Sequence, residues 1–497
     1  MSSFSRQSGV YLHPTALPGR HGVGSFGEPA KRFVDAAADA GQSLWQLCPL
    51  SPVAEVHGFS PYQAYSAFAL EPLLIDLDDL VERGLLDEAD IATDQTFPDE
   101  RVDYEAVREF KYPLLREAYE RFDAEEPEDV ASEFAAFEER VDWLDNYALF
   151  RSLKDHFGDV AWTDWPDPIR SREPEAMAEY REELADEIRY RKFRQFLAVD
   201  QWDELHEYAA ERGIDIVGDL PIYVAQDSAD VWANPELFEL DEAGEPALIS
   251  GVPADANNPA QEWGMPVYDW DAVVAEDYEW WIDRVAWQLE LSDLIRIDHF
   301  RGFDEYYAIG ADEDPSQGRW YEGPGLDFFR RLEDELGELP VIAEDIGFIN
   351  ESVEQLRRDV DAPGMKVLQY ADWCSEDHIY LPHTFDEATV AYPGTHDTNT
   401  VRGWYENLSE EHRDCLHYYL GADGEEINWK LIDAAWHSDS VLAVVPVQDL
   451  FDLGEWARFN SPGTDTGNWE WRCTTDQLES FPTERLRELT ADADRLE

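Results

Sequence analysis

The sequence predicts an α/β fold, a (β/α)8 TIM barrel with helical and loop insertions. Short apolar runs alternate with helix-patterned stretches, which is typical of a parallel sheet covered by helices. The runs are continuously apolar, as expected for strands that are buried on both faces. Eight such runs occur along the chain, and eight parallel strands indicate a closed barrel.

The apolar runs set the predicted order of the strands. Helical stretches that end in glycine precede several of them, as at Leu205 to Gly213 and at residues 326–337. In chain order the runs are SLWQLCPL near residue 45, FALEPLLIDL ending at Leu77, GIDIVGDLPIYV, DLIRIDHF, LPVIAEDIG, GMKVLQY, ATVAYPGT and VLAVVPVQ.

Two insertions are predicted. Strand signals stop between about Asp78 and Glu211, and apolar residues recur at spacings of three and four from Phe134 to Phe157, which predicts one amphipathic helix. We therefore assign residues 1–80 and 212–497 to the catalytic barrel and residues 81–211 to a mainly helical insertion after the second strand. A second insertion, rich in Asn, Pro and Gly, is expected at 227–271 and would carry a substrate loop.

The charge of the chain restricts its partners. The 497 residues include 110 Asp and Glu against 38 Lys and Arg, so the formal charge is −72. This charge excludes a protein that binds the nucleic-acid backbone and disfavours anionic membranes. The acids are spread along the chain rather than gathered in blocks, so a DNA mimic is not indicated. Such a surface suits concentrated salt, which screens the repulsion, and we predict a halophilic cytoplasm.

Cysteines and apolar runs bear on metals, redox state and location. The four cysteines are far apart and form no C-x-x-C pair: Cys48, Cys374, Cys415 and Cys473. We expect reduced, mostly buried thiols, with neither a zinc site nor a disulfide framework. The segment Asp312 to Gly318 resembles a calcium loop only loosely, so we expect a solvated loop and no bound metal. No run is long enough to span a membrane and no hydrophobic signal core is present, so a cytoplasmic protein is expected.

Carboxylates stand where four of the apolar runs end. Asp219 ends the third run, Asp298 the fourth and Glu344 the fifth, and Asp397 follows the seventh. The active site of such a barrel lies at the C-terminal ends of its strands. Burial and mutual repulsion would raise the pKa of one carboxyl group while a hydrogen-bonded neighbour stays charged. Cleavage of a glycosidic bond needs such a pair, one acid and one nucleophile.

Other side chains near these strand ends suit a sugar. Arg296 lies two residues before Asp298, on the same face of the strand, and could hold it ionised. His396 could donate to a sugar hydroxyl. Aromatic and amide side chains suit the C–H faces and hydroxyls of sugars, and the candidates are Tyr62, Gln261, Trp263 and Asn460. Taken singly, each has a plainer structural interpretation, as an ion-paired arginine, a buried histidine or a core tryptophan.

A dozen ordered motifs resemble one family almost end to end. They include SGVYLHPTALPG, GFSPYQAYSAFA, GDLPIYVAQDSADVWANPELF, RIDHFRGF, GRWYEGPG, VIAEDIG, PGMKVLQY, PGTHDTNT and RFNSPGTDTGNWEWR. The chain resembles the 4-α-glucanotransferases of glycoside hydrolase family 77, the amylomaltases or disproportionating enzymes, which are related to the α-amylases.

The resemblance implies roles for the residues already singled out. Asp298 would be the nucleophile, Glu344 the general acid/base and Asp397 the transition-state stabiliser. The residues expected to line the donor and acceptor subsites are Tyr62, Asp219, Gln261, Trp263, Arg296, His396 and Asn460. The implied substrates are α-1,4-glucans such as maltodextrins and maltotriose, with glucose as an acceptor, and no cofactor or metal is implied.

One loop departs from the family pattern. The family has an aromatic pair after the aspartate of this loop and an asparagine after W-G, whereas this chain reads PADANNPAQEWGMP. Ala256 and Asn257 take the place of the rings, and Met265 takes the place of the asparagine. The chemistry would be unaffected, whereas this difference leaves the length of the products and any ring closure open.

The sequence leaves other functions open. A hydrolase would use the same site with water in place of the acceptor sugar, and partition between the two depends on how well the acceptor subsites exclude water. A non-catalytic α-glucan-binding protein on the same barrel would normally lack one of the three carboxylates, and none is missing. The oligomeric state is not predicted.

Overall fold

The computed structural model describes residues 4–254, 260–347, 349–464 and 466–496. Twelve strands occur in these residues and are numbered in chain order: β1 Gln7–Tyr11, β2 Leu44–Gln46, β3 Asp215–Leu220, β4 Leu248–Val252, β5 Gln261–Pro266, β6 Leu294–Ile297, β7 Glu305–Gly310, β8 Arg319–Glu322, β9 Val341–Ala343, β10 Gly364–Val367, β11 Thr389–Tyr392 and β12 Leu442–Pro446.

The helices of the described residues follow the same numbering: α1 Glu28–Asp39, α2 Leu77–Glu82, α3 Tyr104–Glu125, α4 Glu128–Arg140, α5 Leu144–His156, α6 Asp167–Arg170, α7 Pro174–Glu183, α8 Ala185–Ala210, α9 Ala229–Ala233, α10 Trp270–Ala275, α11 Glu279–Leu291, α12 Gly325–Leu336, α13 Glu351–Asp359, α14 Val401–Asn407, α15 Glu410–Leu420, α16 Ile427–Trp436, α17 Val447–Leu450, α18 Thr475–Glu479 and α19 Thr483–Asp492. None of these helices combines the length and apolar character needed to cross a membrane.

Eight strands close into a parallel barrel in the order β1-β12-β11-β10-β9-β6-β3-β2. This confirms the predicted (β/α)8 barrel. The barrel closes between its first and last strands, with Gln7 opposite Leu442 and Tyr11 opposite Pro446. Every residue of β6, β11 and β12 is buried, as the apolar runs predicted for strands covered on both faces, and every residue of β1 is buried although no apolar run predicted that strand.

One of the eight predicted strands is wrong. The run FALEPLLIDL contains a short 3-10 turn, Pro72–Leu74, instead of a strand. Side chains of the helical insertion satisfy its backbone: Gln195 bonds both N–H and C=O of Leu70, and Lys111 donates to the carbonyls of Leu73 and Ile75. The strand that completes the barrel in its place is β1. Gly9 of β1 permits the close approach of β1 to β2, because a Cβ at this position would lie 2.4 Å from the Cβ of Leu44.

The predicted single helix from Phe134 to Phe157 is two helices. Helix α4 ends at Arg140, Val141 is extended, and α5 begins at Leu144. Both helices pack against the long helix α8, where Phe134 and Phe137 contact Phe196. The apolar spacing continues across the break because both helices turn their apolar faces to the same neighbour.

A second sheet lies beside the barrel and was not predicted. It is antiparallel, in the order β5-β4-β7-β8. Strands β4 and β5 come from residues 227–271, and β7 and β8 come from the connection after β6. The side chains of Gln261, Trp263 and Trp320 on this sheet line the cleft described below. The expected solvated loop at Asp312 to Gly318 is confirmed as an exposed turn within this sheet.

The expectation of four reduced cysteines is wrong. Cys374 and Cys415 form a disulfide, although 41 residues separate them in the sequence, whereas Cys48 and Cys473 are buried free thiols as expected. Sequence spacing missed the bridge because the segment after β10 folds against α15, where Trp373 contacts Tyr419 edge to face.

Candidate active site

A cleft of about 930 Å³ opens at the carboxyl ends of the barrel strands. Eight of the ten residues singled out in the sequence line it: Tyr62, Gln261, Trp263, Arg296, Asp298, Glu344, Asp397 and Asn460. The other two, Asp219 and His396, are not among the lining residues and are 2% and 4% exposed. The structure thus brings all ten to one end of the barrel, with two of them behind the cleft wall.

Arg296 connects two of the carboxylates. The parallel register places Asp219 on β3 opposite Arg296 on β6, so both side chains point the same way. Arg296 Nη1 donates to both carboxylate oxygens of Asp219 at 2.7 Å, and Nη2 donates to Asp298 Oδ1 at 2.8 Å. This buried fork fixes the orientation of Asp298, and Asp298 Oδ2 is the oxygen left for chemistry.

Asp298 and Glu344 follow directly on neighbouring strands β6 and β9. The backbone N–H of Glu344 donates to the carbonyl of Ile297, which holds the two carboxyl groups at the same level of the barrel. Glu344 Oε2 accepts from the backbone N–H of His299 at 2.8 Å, and Oε1 accepts from that of Ile346 at 3.1 Å. His299 adopts a left-handed backbone conformation with φ 51°, which aims its N–H at the carboxylate.

The environment separates the protonation states of these two groups. Burial and the charge of Asp298 raise the pKa of Glu344 to about 8. Burial raises the pKa of Asp298 to about 6, while the adjacent Arg296 opposes the rise. At neutral pH the arrangement therefore favours a protonated Glu344 beside an ionised Asp298, the two states that an acid and a nucleophile would require.

Asp397 is the most acidic of the three carboxyl groups. Its Oδ1 accepts from Asn460 Nδ2 at 2.6 Å, and its Oδ2 lies 3.2 Å from His396 Nε2. Burial alone would raise the pKa of Asp397, but the His396 imidazole and the two hydrogen bonds lower it to about 2. Burial lowers the pKa of His396, but the Asp397 carboxylate outweighs burial and raises it above the ordinary value.

Tyr62 lies between Asp219 and His396, the two residues behind the cleft wall. Its hydroxyl donates to Asp219 Oδ2 at 2.7 Å and lies 3.0 Å from His396 Nε2, and its ring stacks on the imidazole with a centroid distance of 5.5 Å. Tyr62 comes from the long segment between β2 and the helical insertion. It therefore connects the Arg296 ion pairs to the Asp397 carboxylate.

The second sheet supplies an aromatic wall. Trp263 meets His299 edge to face with a centroid distance of 4.9 Å, its Nε1 lies 3.4 Å from Gln261 Oε1, and Gln63 Nε2 donates to its carbonyl at 2.9 Å. Burial lowers the pKa of His299 to about 3, so this imidazole is neutral. The wall combines an indole face with neutral polar groups, which is suited to a sugar.

The altered loop lies partly outside the described residues. Ala256 and Asn257 belong to that part, so the effect of losing the aromatic pair stays a prediction. Met265 is the last residue but one of β5 and lines the cleft at the place where the family carries an asparagine.

Several residues of the site were not found in the sequence. Tyr370 and Trp469 line the cleft, and Arg458 donates to the carbonyl of Asp397 at 2.7 Å. Tyr370 closely follows the apolar run of β10, so the strand-end rule applied to aromatics would have found it. His299 is adjacent to Asp298 in RIDHF, whereas Arg458 acts through backbone carbonyls, which leave no pattern in a sequence.

Comparisons with known proteins agree with this geometry. The family model described as glycoside hydrolase 77, 4-alpha-glucanotransferase, matches residues 12–477. The chain is 44% identical to a 4-alpha-glucanotransferase of Synechocystis sp. over 98% of this chain and 97% of the relative. It is 42% identical to that of Thermus thermophilus over 99% of each chain.

Solved structures show the same likeness. The amylomaltase of Streptococcus agalactiae in complex with acarbose superimposes with a TM-score of 0.95 at 37% identity, over 99% of this chain and 100% of that chain. The amylomaltase of Corynebacterium glutamicum, at 19% identity and a TM-score of 0.80, covers 99% of this chain and 75% of that chain and supports the fold.

Proposed function

The chain belongs to glycoside hydrolase family 77, the 4-alpha-glucanotransferases, and from this membership we propose how its cleft transfers a glucan segment with retention of configuration. The observation that carries the proposal is the position of the Asp298 and Glu344 carboxyl groups at adjacent strand ends, where Arg296 favours the ionised form of Asp298 and the charge of Asp298 raises the pKa of Glu344. A retaining glycosidase needs both states at once.

The first step forms a covalent intermediate. Asp298 Oδ2 attacks the anomeric carbon of an α-1,4-glucan as the bond from that carbon to the 4-oxygen breaks, and Glu344 gives its proton to the departing 4-oxygen. Arg296 stays bonded to Asp298 Oδ1 and keeps the attacking oxygen in place. The leaving chain departs with a free 4-hydroxyl, and Glu344 is left as a carboxylate.

The second step transfers the segment. The Glu344 carboxylate takes the proton of the 4-hydroxyl of an acceptor, and the acceptor oxygen displaces Asp298 from the anomeric carbon. Both carboxyl groups then return to their starting states, so the proton balance closes without a cofactor. Asp397, kept ionised by His396 and Asn460, stabilises the positive charge that develops on the sugar ring in both steps.

The remaining residues divide into two groups by their position. Tyr62, Gln261, Trp263 and Asn460 line the cleft, and we assign them to the subsites. Asp219 and His396 lie behind the wall, so we assign them to positioning: Asp219 through Arg296 and Tyr62, and His396 through Asp397. We further propose that the cleft binds acarbose, maltotriose and longer maltodextrins, with glucose among the acceptors.

A product profile from maltotriose tests the reaction. Purified protein in molar KCl should yield glucose and a ladder of longer oligomers by chromatography, while the number of reducing ends stays constant. A steady rise in reducing ends without longer products would instead establish a hydrolase. The oligomer ladder cannot arise in a protein that only binds glucans.

Asp298→Asn tests the nucleophile. Asparagine can still accept the Arg296 hydrogen bond but is a far weaker nucleophile, so we expect transferase activity to fall by at least about 10³-fold. Asp312→Asn, in the exposed loop of the second sheet, is the matched control and should keep full activity. Retention of more than a few percent of activity by Asp298→Asn would refute the assignment.

A further inference from the structure

Four potential metal ligands meet between the segment after β10 and helix α15, and none of them lines the cleft. Asp372 and Cys374 lie in the segment after β10, and His412 and Cys415 lie on α15. The ligand atoms of Asp372, Cys374 and His412 all lie within 4.8 Å of one another. Cys415 belongs to the same group because it is bonded to Cys374, with a Cα–Cα distance of 5.1 Å.

The local structure orients each side chain toward the others. His412 and Cys415 are three residues apart on α15, so they share one face of the helix. Asp372 Oδ1 accepts from the backbone N–H of Cys374 at 3.0 Å, which folds the segment into a turn carrying both groups. His412 Nδ1 lies 2.8 Å from Ser409 Oγ, so a metal bound through Nε2 would keep this orienting hydrogen bond.

We propose that Asp372, Cys374, His412 and Cys415 form a four-ligand Zn²⁺ site when the disulfide is reduced. A dithiol reductant gives two electrons and two protons to the bridge and becomes a disulfide itself, which leaves two thiols on the protein. Zn²⁺ then displaces both thiol protons to the solvent, because thiolate is the ligand form. The ligand set of two thiolates, one imidazole and one carboxylate suits tetrahedral zinc.

The distances need little adjustment. Tetrahedral zinc with bonds of about 2.0 to 2.3 Å separates its ligand atoms by about 3.3 to 3.8 Å. The ligand atoms of Asp372, Cys374 and His412, which lie within 4.8 Å of one another, would approach by about 1 Å through side-chain rotation, and the Sγ atoms of Cys374 and Cys415 would move apart by more than about 1 Å once the disulfide is reduced. The thiolates also distinguish this place from the many exposed carboxylates, which bind divalent cations weakly and lack sulfur.

Neighbouring histidines have other partners. His378 Nδ1 accepts from the backbone N–H of Asp372 at 3.2 Å, and His383 contacts Tyr419 Oη and the carbonyl of Glu376. The contact of His383 with Tyr419 holds the segment on α15, as the disulfide does, whereas the other two bonds lie within the segment. Zinc would thus join the segment after β10 to α15 under reducing conditions, as the disulfide does under oxidising conditions.

Cobalt binding tests the site, because Co²⁺ reports its ligands spectroscopically. We would reduce the whole protein with a phosphine, remove the reductant without oxygen, and titrate with Co²⁺ in molar KCl to suppress binding by surface acids. We expect one Co²⁺ per chain, a thiolate-to-cobalt charge-transfer band, visible bands of tetrahedral cobalt, and displacement by one equivalent of Zn²⁺. The oxidised protein should show none of these bands.

Variants assign the ligands. Cys374→Ser and Cys415→Ser should each weaken the charge-transfer band, and His412→Gln and Asp372→Asn should each change the visible bands. Cys473→Ser and His437→Gln alter the same residue types elsewhere and are the matched controls. The transferase assay, run in parallel, confirms that each variant is folded.

Three outcomes would overturn the proposal. The first is absence of a charge-transfer band in the reduced protein, and the second is a band unaffected by loss of either Cys374 or Cys415. The third is a spectrum unchanged in His412→Gln or Asp372→Asn, because the four-ligand assignment requires every member.

Discussion

The carboxyl groups of Asp298 and Glu344, at the ends of adjacent strands, have different pKa values because they have different partners. Arg296 donates to Asp298 and opposes the rise that burial causes, whereas the charge of Asp298 adds to the effect of burial on Glu344 and outweighs its two hydrogen bonds from backbone N–H groups. Their pKa values, about 6 and about 8, belong to a pair in one cleft. The window between these values is the range in which the proposed mechanism has both its nucleophile and its acid.

We therefore expect a bell-shaped pH dependence of kcat/KM. Activity falls below about pH 6 because Asp298 becomes protonated, and it falls above about pH 8 because Glu344 loses its proton. Asp397, with a pKa of about 2, contributes to neither limb. Initial rates with maltotriose at constant ionic strength measure both limbs. An alkaline limb absent well above pH 8 would contradict the role of Glu344 as the acid.

We also expect the Tyr62 hydroxyl to contribute to activity. Tyr62→Phe removes the donor to Asp219 and the contact with His396 while the ring remains stacked. A lost hydrogen bond to a charged group predicts a fall in kcat/KM of roughly 10- to 100-fold. Tyr119→Phe is the matched control, since that hydroxyl also donates to a carboxylate, Asp186 Oδ1 at 3.1 Å, but on helix α8 and outside the cleft. Equal losses in the two variants would contradict a specific role for Tyr62.

The carboxylates of the site could be predicted because each lies at or after the end of an apolar strand. Asp219, Asp298, Glu344 and Asp397 were placed by the strand-end rule, and the structure brings them to one end of the barrel. Tyr62 lies on a segment without such a signal and was found through its motif. Arg458 and the N–H groups of His299 and Ile346 act through backbone contacts that depend on tertiary packing. No pattern of side chains in the sequence predicts these backbone contacts.

At the scale of elements, an apolar run in the sequence does not by itself identify a strand, because a strand is defined by the pairing of its backbone. The segment from Phe68 to Leu77 is apolar, yet side chains of the helical insertion take its hydrogen bonds. Strand β1 contains Gln7, Ser8 and Gly9, so it breaks the apolar pattern, yet it is buried and paired on both sides. The predicted number of barrel strands is thus correct, but the prediction includes the segment from Phe68 to Leu77 instead of β1.

Gln195→Leu tests this account of the Phe68 to Leu77 segment. The substitution leaves the buried N–H and C=O of Leu70 without their partner, and each costs about 1 to 3 kcal/mol. We expect the free energy of unfolding to fall by about 2 to 6 kcal/mol, measured by urea denaturation. Gln355→Leu, at an exposed position of α13, is the control and should change it by less than about 0.5 kcal/mol. Similar values for both variants would refute the account.

At the scale of the whole molecule, net charge governs stability. A formal charge of −72 on one chain repels itself in dilute buffer, and its exposed ion pairs recover little of that energy. Molar salt shortens the Debye length to about 3 Å and removes most of the repulsion. For a chain of this length, each kcal/mol gained raises Tm by about 1 °C.

We expect Tm to rise by at least about 5 °C from dilute buffer to molar KCl, measured by calorimetry. Sucrose at matched osmolality is the control, since it is excluded from the surface but screens no charge. An unchanged Tm in KCl, or an equal rise in sucrose, would contradict charge repulsion as the cause. The cytoplasmic location predicted from the sequence stays a prediction.

The pairing of β1 with β12 has a consequence for biosynthesis. Residues 7–11 leave the ribosome early, but their partners at 442–446 follow only after roughly 430 more residues, a delay of about 20 to 90 s at ordinary elongation rates. Throughout that delay the growing sheet has an unpaired edge at β1. An unpaired edge strand is prone to aggregation, and the barrel can close only after β12 has been made.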